Sequence, residues 1–171
     1  MKITRKWAMP NKWTFTMKPI KELLERYVGD GTGWVDPFAG NNSPAKIRND
    51  INKDCNAQSN MKAIPFLEQF EESSLKGILL DPPYSPRQIS EHYKKAGLKP
   101  SQWETSSGWG AKIKDLTASR VQLGGIVICF GWNSMGLGKN RGFELIEVLL
   151  VPHGGAHNDT IVTVERKINF K

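Results

Sequence analysis

The chain has 171 residues, 39% hydrophobic and 24% charged, a balance that fits one domain with a real core and excludes a disordered chain. Its 24 Lys and Arg against 17 Asp and Glu leave a net charge of +7, which suits a polyanionic partner because phosphates release counterions to a basic surface. No apolar run approaches the ~18 residues a membrane span needs, and the basic start MKITRKWAMPNKW has no apolar stretch behind it, so no membrane association or export is expected and the cytosol is the default.

In chain order, Lys18 to Tyr27 has apolar residues at helical spacing with Pro19 in the first turn, which predicts a helix ended by Gly29-Asp30-Gly31. Gly33 to Phe38 reads as a short strand, Ala39 to Pro44 as a turn and Ala45 to Ile51 as a second short strand. Ala63 to Phe70 predicts a short helix. Leu75 to Leu80 has the continuous apolar character of a buried parallel strand. Arg87 to Lys95 predicts a helix, Gly97 to Gly110 a long exposed loop with one helical turn, and Ala111 to Leu123 an amphipathic helix stopped by Gly124-Gly125. Ile126 to Phe130 is a strand. Phe143 to Val151 and Thr160 to Lys167 alternate as an antiparallel pair, joined by a structured turn from Pro152 to Asp159 that contains His153 and His157. Strands alternating with helices predict an α/β fold. No repeat or boundary divides the chain, so residues 1–171 are expected to form one domain.

Only Cys55 and Cys129 are present, with three histidines and no paired-cysteine spacing, so neither a disulfide framework nor a metal site is expected.

Two segments carry chemistry. Asp36-Pro37-Phe38-Ala39-Gly40 and Asp81-Pro82-Pro83-Tyr84 each fall just past the carboxyl end of a predicted strand, the edge where open α/β sheets bind ligands. The pair resembles the amino-methyltransferases of DNA, with their cofactor motif D-P-F-x-G and catalytic motif D-P-P-Y. The runs Asp36 to Asn52, Asp81 to Tyr93 and His153 to Val164 are similar to small adenine-specific methyltransferases of phages and prophages, and the likeness extends from about Trp13 to Lys167.

The resemblance implies a Rossmann-like class I methyltransferase fold: a mixed, mostly parallel sheet with a C-terminal antiparallel hairpin. Only nine residues separate Gly40 from Asp50, too few for a crossover helix and strand, so the first crossover is expected to be reduced to a loop. It implies S-adenosylmethionine as cofactor, held by Asp36, Pro37, Phe38, Gly40 and Asp50, with Trp13, Phe15 and Lys18 near its methionine carboxylate. It implies transfer of a methyl group to N6 of adenine in DNA. Asp81 and the Pro82 carbonyl would accept the two N–H bonds of the amino group and favour the pyramidal nitrogen that attacks. Pro82 and Pro83 stiffen the turn, and Tyr84 offers a ring for a base taken out of the duplex. In the corresponding family position for an acid near the cofactor's adenine stands Lys62, which receives no role.

Ser85 and Arg87 are candidates to touch the substrate strand, and Arg87, Lys94, Lys95, Lys112 and Lys114 as a group to follow phosphates. Trp103 and Trp109, in the expected loop, are candidates for a substrate-side lid or stacking platform. No larger segment offers itself for target recognition, so weak sequence specificity, or help from a partner protein or second subunit, is expected. Rival readings are methylation of guanine N2 or adenine N6 in RNA, of cytosine N4 in DNA, and a non-catalytic nucleic-acid-binding scaffold.

Overall fold

The computed structural model describes residues 1–155 and 157–169; Ala156, inside the expected Pro152–Asp159 turn, lies outside them, as do Phe170 and Lys171. Strand β1 (Lys2–Arg5) precedes helix α1 (Lys18–Val28), β2 (Trp34–Asp36) and β3 (Ile47–Arg48). Then come α2 (Ala63–Glu68), β4 (Leu75–Leu80), α3 (Pro86–Lys95), α4 (Ser107–Arg120) and β5 (Val121–Gly131). Strands β6 (Phe143–Val151) and β7 (Thr160–Lys167) close the fold.

The strands form one sheet in the order β1-β6-β7-β5-β4-β2-β3. Strand β7 runs antiparallel to β5 and β6, and the other neighbours are parallel. Side chains alternate across it, as the pleat requires. Val35, Ile78, Leu80 and Val127 face α2, α3 and α4, whereas Trp34, Leu79, Ile128 and Phe130 face α1. A Cβ at Gly77 would lie 2.7 Å from the Trp34 ring, so the glycine lets the indole lie flat on β4.

Residues 37–46, between the parallel strands β2 and β3, contain no helix. The chain leaves β2 toward β3 on one side, while β4 pairs on the other. This reversal opens a crevice at the carboxyl ends of β2 and β4.

Several elements differ from the sequence expectation, and β3 keeps only Ile47–Arg48 of the expected strand from Ala45 to Ile51. Strand β1 adds an edge beside β6 that four mostly exposed residues did not signal. Helix α4 begins at Ser107, so Trp109 is helical and not part of a loop; with Ile113, Leu116 and Thr117 it forms one buried stripe, and that burial outweighs the low helix propensity of Gly108 and Gly110. The same helix ends at Arg120, three residues early, because Val121 already pairs with Leu75. Gly124 then takes φ 76° as the register slips to Gly77 opposite Ile126, the geometry of a bulge.

Candidate active site

A cavity of about 620 Å³ occupies the crevice. Pro37 to Gly40, Asp50 and Met61 line one side, and Asp81 to Tyr84 with Gln88 line the other. Lys12 to Phe15 and Trp109 also reach it.

The cofactor-motif loop is shaped by buried polar groups. Asp36 is fully buried beneath it; it accepts hydrogen bonds from the Phe38 N–H (2.9 Å) and the Ser43 hydroxyl (2.6 Å). Burial pushes its carboxyl up to about 7 against those two bonds, with the charges of Asp81 and Asp50 adding to the rise. Asp36 therefore holds the loop in shape from beneath and is not among the residues that line the cavity. Asp50 does line it. Its carboxylate accepts from the Gly40 N–H and the Asn52 N–H, both at 2.9 Å. Gly40 has φ 53° and open space where a Cβ would stand, so its backbone conformation, not crowding, calls for glycine. Asn49, between them in role, was not foreseen. Its buried amide donates to the carbonyls of Pro37 (3.1 Å) and Met61 (2.9 Å) and accepts from the Met61 N–H (2.9 Å). The signal was an amide at a strand end, where only tertiary partners justify burial.

On the catalytic-motif side, the Asp81 carboxylate accepts a hydrogen bond from the Tyr84 hydroxyl. Burial pushes the Asp81 carboxyl above its usual range, while the hydroxyls of Tyr84 and Thr14 and the charge of His92 pull it down. Burial and the Asp81 charge raise the Tyr84 phenol well above its ordinary value, so Tyr84 is a neutral donor. Ser85 caps α3 by accepting from the Gln88 N–H at 3.2 Å, and the Gln88 side chain accepts from the Tyr84 N–H at 2.7 Å. This reciprocal arrangement is close to a capping box and fixes the Pro83–Ser85 turn. Tyr84 also lies 5.3 Å from the exposed Trp132 ring, tilted by 51°. Trp132 follows β5 directly and was overlooked, although the argument from strand ends that selected Asp36 and Asp81 applies to it equally.

The other expected contacts divide. Trp13 lines the cavity and is partly exposed. Phe15 reaches the cavity, but its ring packs on Phe130 at 5.0 Å in the core. Trp109 is buried edge-on to Phe38, 6.1 Å away, so it is a wall of the cavity and not a lid. Trp103 is exposed and does not line the cavity. Ser85 serves the helix cap, and Arg87 pairs with Glu91 at 2.9 Å on the solvent side; neither lines the cavity. Lys62 is bound to Glu104 at 2.8 Å. Glu104 also accepts from the Tyr93 hydroxyl (2.6 Å) and the Ser101 N–H (2.8 Å). Burial opposes its charge, yet Lys62 and these donors hold its carboxyl down at about 2. Lys62 thus ties the 97–106 segment to α2 and α3. Cys55 lines the cavity with its thiol pushed up to about 11 by burial and by Asp50. Among the described residues, no group of three or more His, Cys, Asp or Glu is placed to hold a metal ion, and no helix is long and apolar enough to cross a membrane.

No protein-family model and no curated protein matches the sequence. Solved structures do match in shape. The 1,6-didemethyltoxoflavin-N1-methyltransferase of Burkholderia thailandensis, solved with 1,6-didemethyltoxoflavin and S-adenosylhomocysteine, superposes with TM-score 0.57 at 12% identity, over 89% of this chain and 78% of its own. TrmN from Thermus thermophilus gives 0.55 at 16% identity, over 89% of this chain and 49% of its own. NSun6 from Pyrococcus horikoshii gives 0.54 at 13% identity, over 87% and 50%. The chain has the class I methyltransferase fold. It spans about half the length of TrmN and NSun6, and at these identities the likeness is one of fold. In this chain the β2–β3 connection is a loop and β1 lies beside β6.

Proposed function

We propose that the protein transfers a methyl group from S-adenosylmethionine to N6 of adenine in DNA. One observation carries the reading: the Asp81 carboxylate and the Pro82–Tyr84 turn share one cavity with the Phe38–Gly40 loop and Asp50. The donor set fits the cofactor. Asp50 is a carboxylate suited to ribose hydroxyls, and Phe38, Met61 and Trp109 offer apolar surface for a purine. The bound cofactor would supply an electrophilic methyl group on a sulfonium.

This chain's residues do the rest. Asp81 accepts one N–H of the target amino group and later takes the proton that group releases; burial, which raises its carboxyl, makes it the better acceptor. The Pro82 carbonyl accepts the other N–H. The two prolines hold these acceptors in place, so they meet the charge that develops at the nitrogen without reorganising. Because the Tyr84 hydroxyl occupies Asp81, an entering base must displace it, which frees the phenol ring to stack. The fit of Asp-Pro-Pro-Tyr to adenine and the net charge of +7 support DNA adenine as substrate. The test is transfer of labelled methyl to DNA and to RNA, followed by nucleoside analysis. N6-methyladenosine of the deoxy series is expected; labelled guanosine, cytidine or ribonucleoside products would replace the substrate assignment, and absence of labelled nucleoside with every substrate would overturn the reading.

A further inference from the structure

The positive charge is not spread over the molecule. Residues 1–21 hold Lys2, Arg5, Lys6, Lys12, Lys18 and Lys21 and no acid, and the other 150 residues, with 18 Lys and Arg against 17 Asp and Glu, are nearly neutral. Part of this segment is a strap, residues 6–13, laid along the carboxyl edge of the sheet. Lys6 N–H donates to the Leu150 carbonyl (2.9 Å) and Ala8 N–H to that of Pro152 (3.3 Å). His153 clamps it: Nδ1 lies 3.0 Å from the Ala8 carbonyl and Nε2 lies 2.8 Å from the Thr160 hydroxyl. A carbonyl only accepts, so Nδ1 carries the proton. From this anchor the strap runs to Lys12–Phe15 at the cavity.

The strap is tied by its backbone, by the Lys6 pair with Glu22 at 2.7 Å and by Asn11, whose amide donates to the Thr16 hydroxyl at 2.9 Å, and it leaves its two indoles open to solvent. Trp7 is 60% exposed and Trp13 41%, although large aromatics are ordinarily well buried. The Lys12 ammonium sits 4.9 Å above the Trp13 ring. Arg5, Lys12 and Lys18 form no ion pair among the described residues. Between strap and α1 lies an open groove of about 720 Å³, lined by Lys6, Trp7, Met9, Asn11 and Lys18 among others. At the carboxyl end of β5, Trp132 is 46% exposed beside Tyr84. Its loop is braced from beneath, since buried Glu165 accepts from the N–H groups of Leu137 (2.6 Å) and Gly138 (2.9 Å) and Lys114 donates to the Gly136 carbonyl (2.7 Å).

We propose that the strap and Trp132 form a binding track for an unpaired DNA strand, in which Trp7, Trp13 and Trp132 stack on bases and Arg5, Lys12 and Lys18 meet phosphates. Exposed aromatic faces interleaved with cations are the combination that single strands require, because their bases are free to stack while a duplex hides them. The track leads into the cavity, so it rests on the reading above and deepens it: the target adenine arrives already unpaired, without the unstacking that a duplex demands.

The test measures fluorescence anisotropy of a labelled oligonucleotide of about 12 nucleotides, as single-stranded DNA, as the blunt duplex and as RNA of the same sequence. Single-stranded DNA is expected to bind at least about tenfold tighter than the duplex, and Trp7→Ala to weaken it about tenfold while Trp7→Phe retains it. Lys12→Gln is expected to lower the salt slope by about 0.7. Equal or tighter binding of the duplex, preference for RNA, or an unchanged affinity of Trp7→Ala would overturn the track. Calorimetric binding of S-adenosylhomocysteine to the same preparations reads the other proposal separately. Cofactor binding without single-strand preference removes the track alone, and single-strand binding without cofactor binding removes the methyltransferase reading alone.

Discussion

The two halves of the sheet's carboxyl edge use buried polar groups to opposite ends. At β2 and β3, Asp36, Asn49 and Asp50 turn their hydrogen bonds onto the loop that follows each strand, and the result is a concave, inward-facing cradle. At β6 and β7, Glu165 and His153 hold backbone groups of the Trp132 loop and of the 6–13 strap, and Trp7 and Trp132 face solvent, while Glu147 holds the Arg26 and Tyr27 side chains of α1. A buried acid or amide can therefore preorganise a small-molecule site or stiffen a platform for a polymer. What separates the two is whether the braced loop closes over the crevice or stands beside it.

The comparison breaks most directly at Asp81, where the halves meet. Asp81→Asn is expected to lower kcat by about 10²- to 10³-fold, the effect of losing one preorganised partner of the transition state, with cofactor affinity held; single-turnover transfer beside calorimetry reads both. The raised Asp81 carboxyl also sets the acid limb of the wild-type rate. A protonated Asp81 cannot take the proton that the amino group releases, so activity is lost as pH falls, and at a pH above the ordinary aspartate value of about 4.

Next is the cradle. Asp50→Ala leaves the Gly40 and Asn52 N–H groups without their acceptor and is expected to weaken cofactor binding by roughly ten- to a hundredfold, the loss of hydrogen bonds to a charged group. An unchanged dissociation constant by calorimetry would detach Asp50 from the cofactor.

Glu147→Gln probes the attachment of α1 to β6. The carboxylate is gripped by Arg26 at 2.8 and 3.1 Å and by the Tyr27 hydroxyl at 2.7 Å; the Arg26 bond, against the effect of burial, holds it down at about 2. A lowered carboxyl contributes stability above its unfolded value of about 4.5 and loses it as pH falls toward 2. The substitution is expected to cost about 2 kcal/mol at pH 7 in a urea melt, with cofactor affinity intact.

Asp36 has the opposite sign. With its carboxyl at about 7 when folded and about 4 when unfolded, the folded state binds the extra proton, so stability falls as pH rises between those values. Asp36→Asn removes that slope, and the drop in Tm between pH 5 and pH 8 is expected to shrink by roughly 5–10 °C. The smallest effect belongs to Arg87→Ala. Its pair with Glu91 is exposed, so stability should shift by less than about 0.5 kcal/mol, and single-strand affinity should hold if the strap is the track.

Much of this was open to a reading of residues in order. Leu75–Leu80 and the final hairpin stand where apolar continuity and alternation put them, because a buried strand and a half-buried one each leave a period in the chain. The edge that carries the cavity was equally readable, since Asp36 ends β2 and Asp81 directly follows β4. Trp109 shows the limit: two neighbouring glycines argue for a loop, and only the packing of its indole against Phe38 makes the first turn of α4 helical.

Local order in the chain thus settled β4, the final hairpin and the two Asp-Pro motifs at strand ends, since these depend on periodicity and on turn chemistry within a few residues. Which acid faces the cavity and which lies beneath its loop, that Lys62 is spent on Glu104, and that the N-terminal segment lies on the sheet edge all emerged from the folded chain alone. Those facts depend on partners far apart in sequence, such as Ala8 and His153, whose meeting is set by how the layers pack and not by any pattern along the backbone.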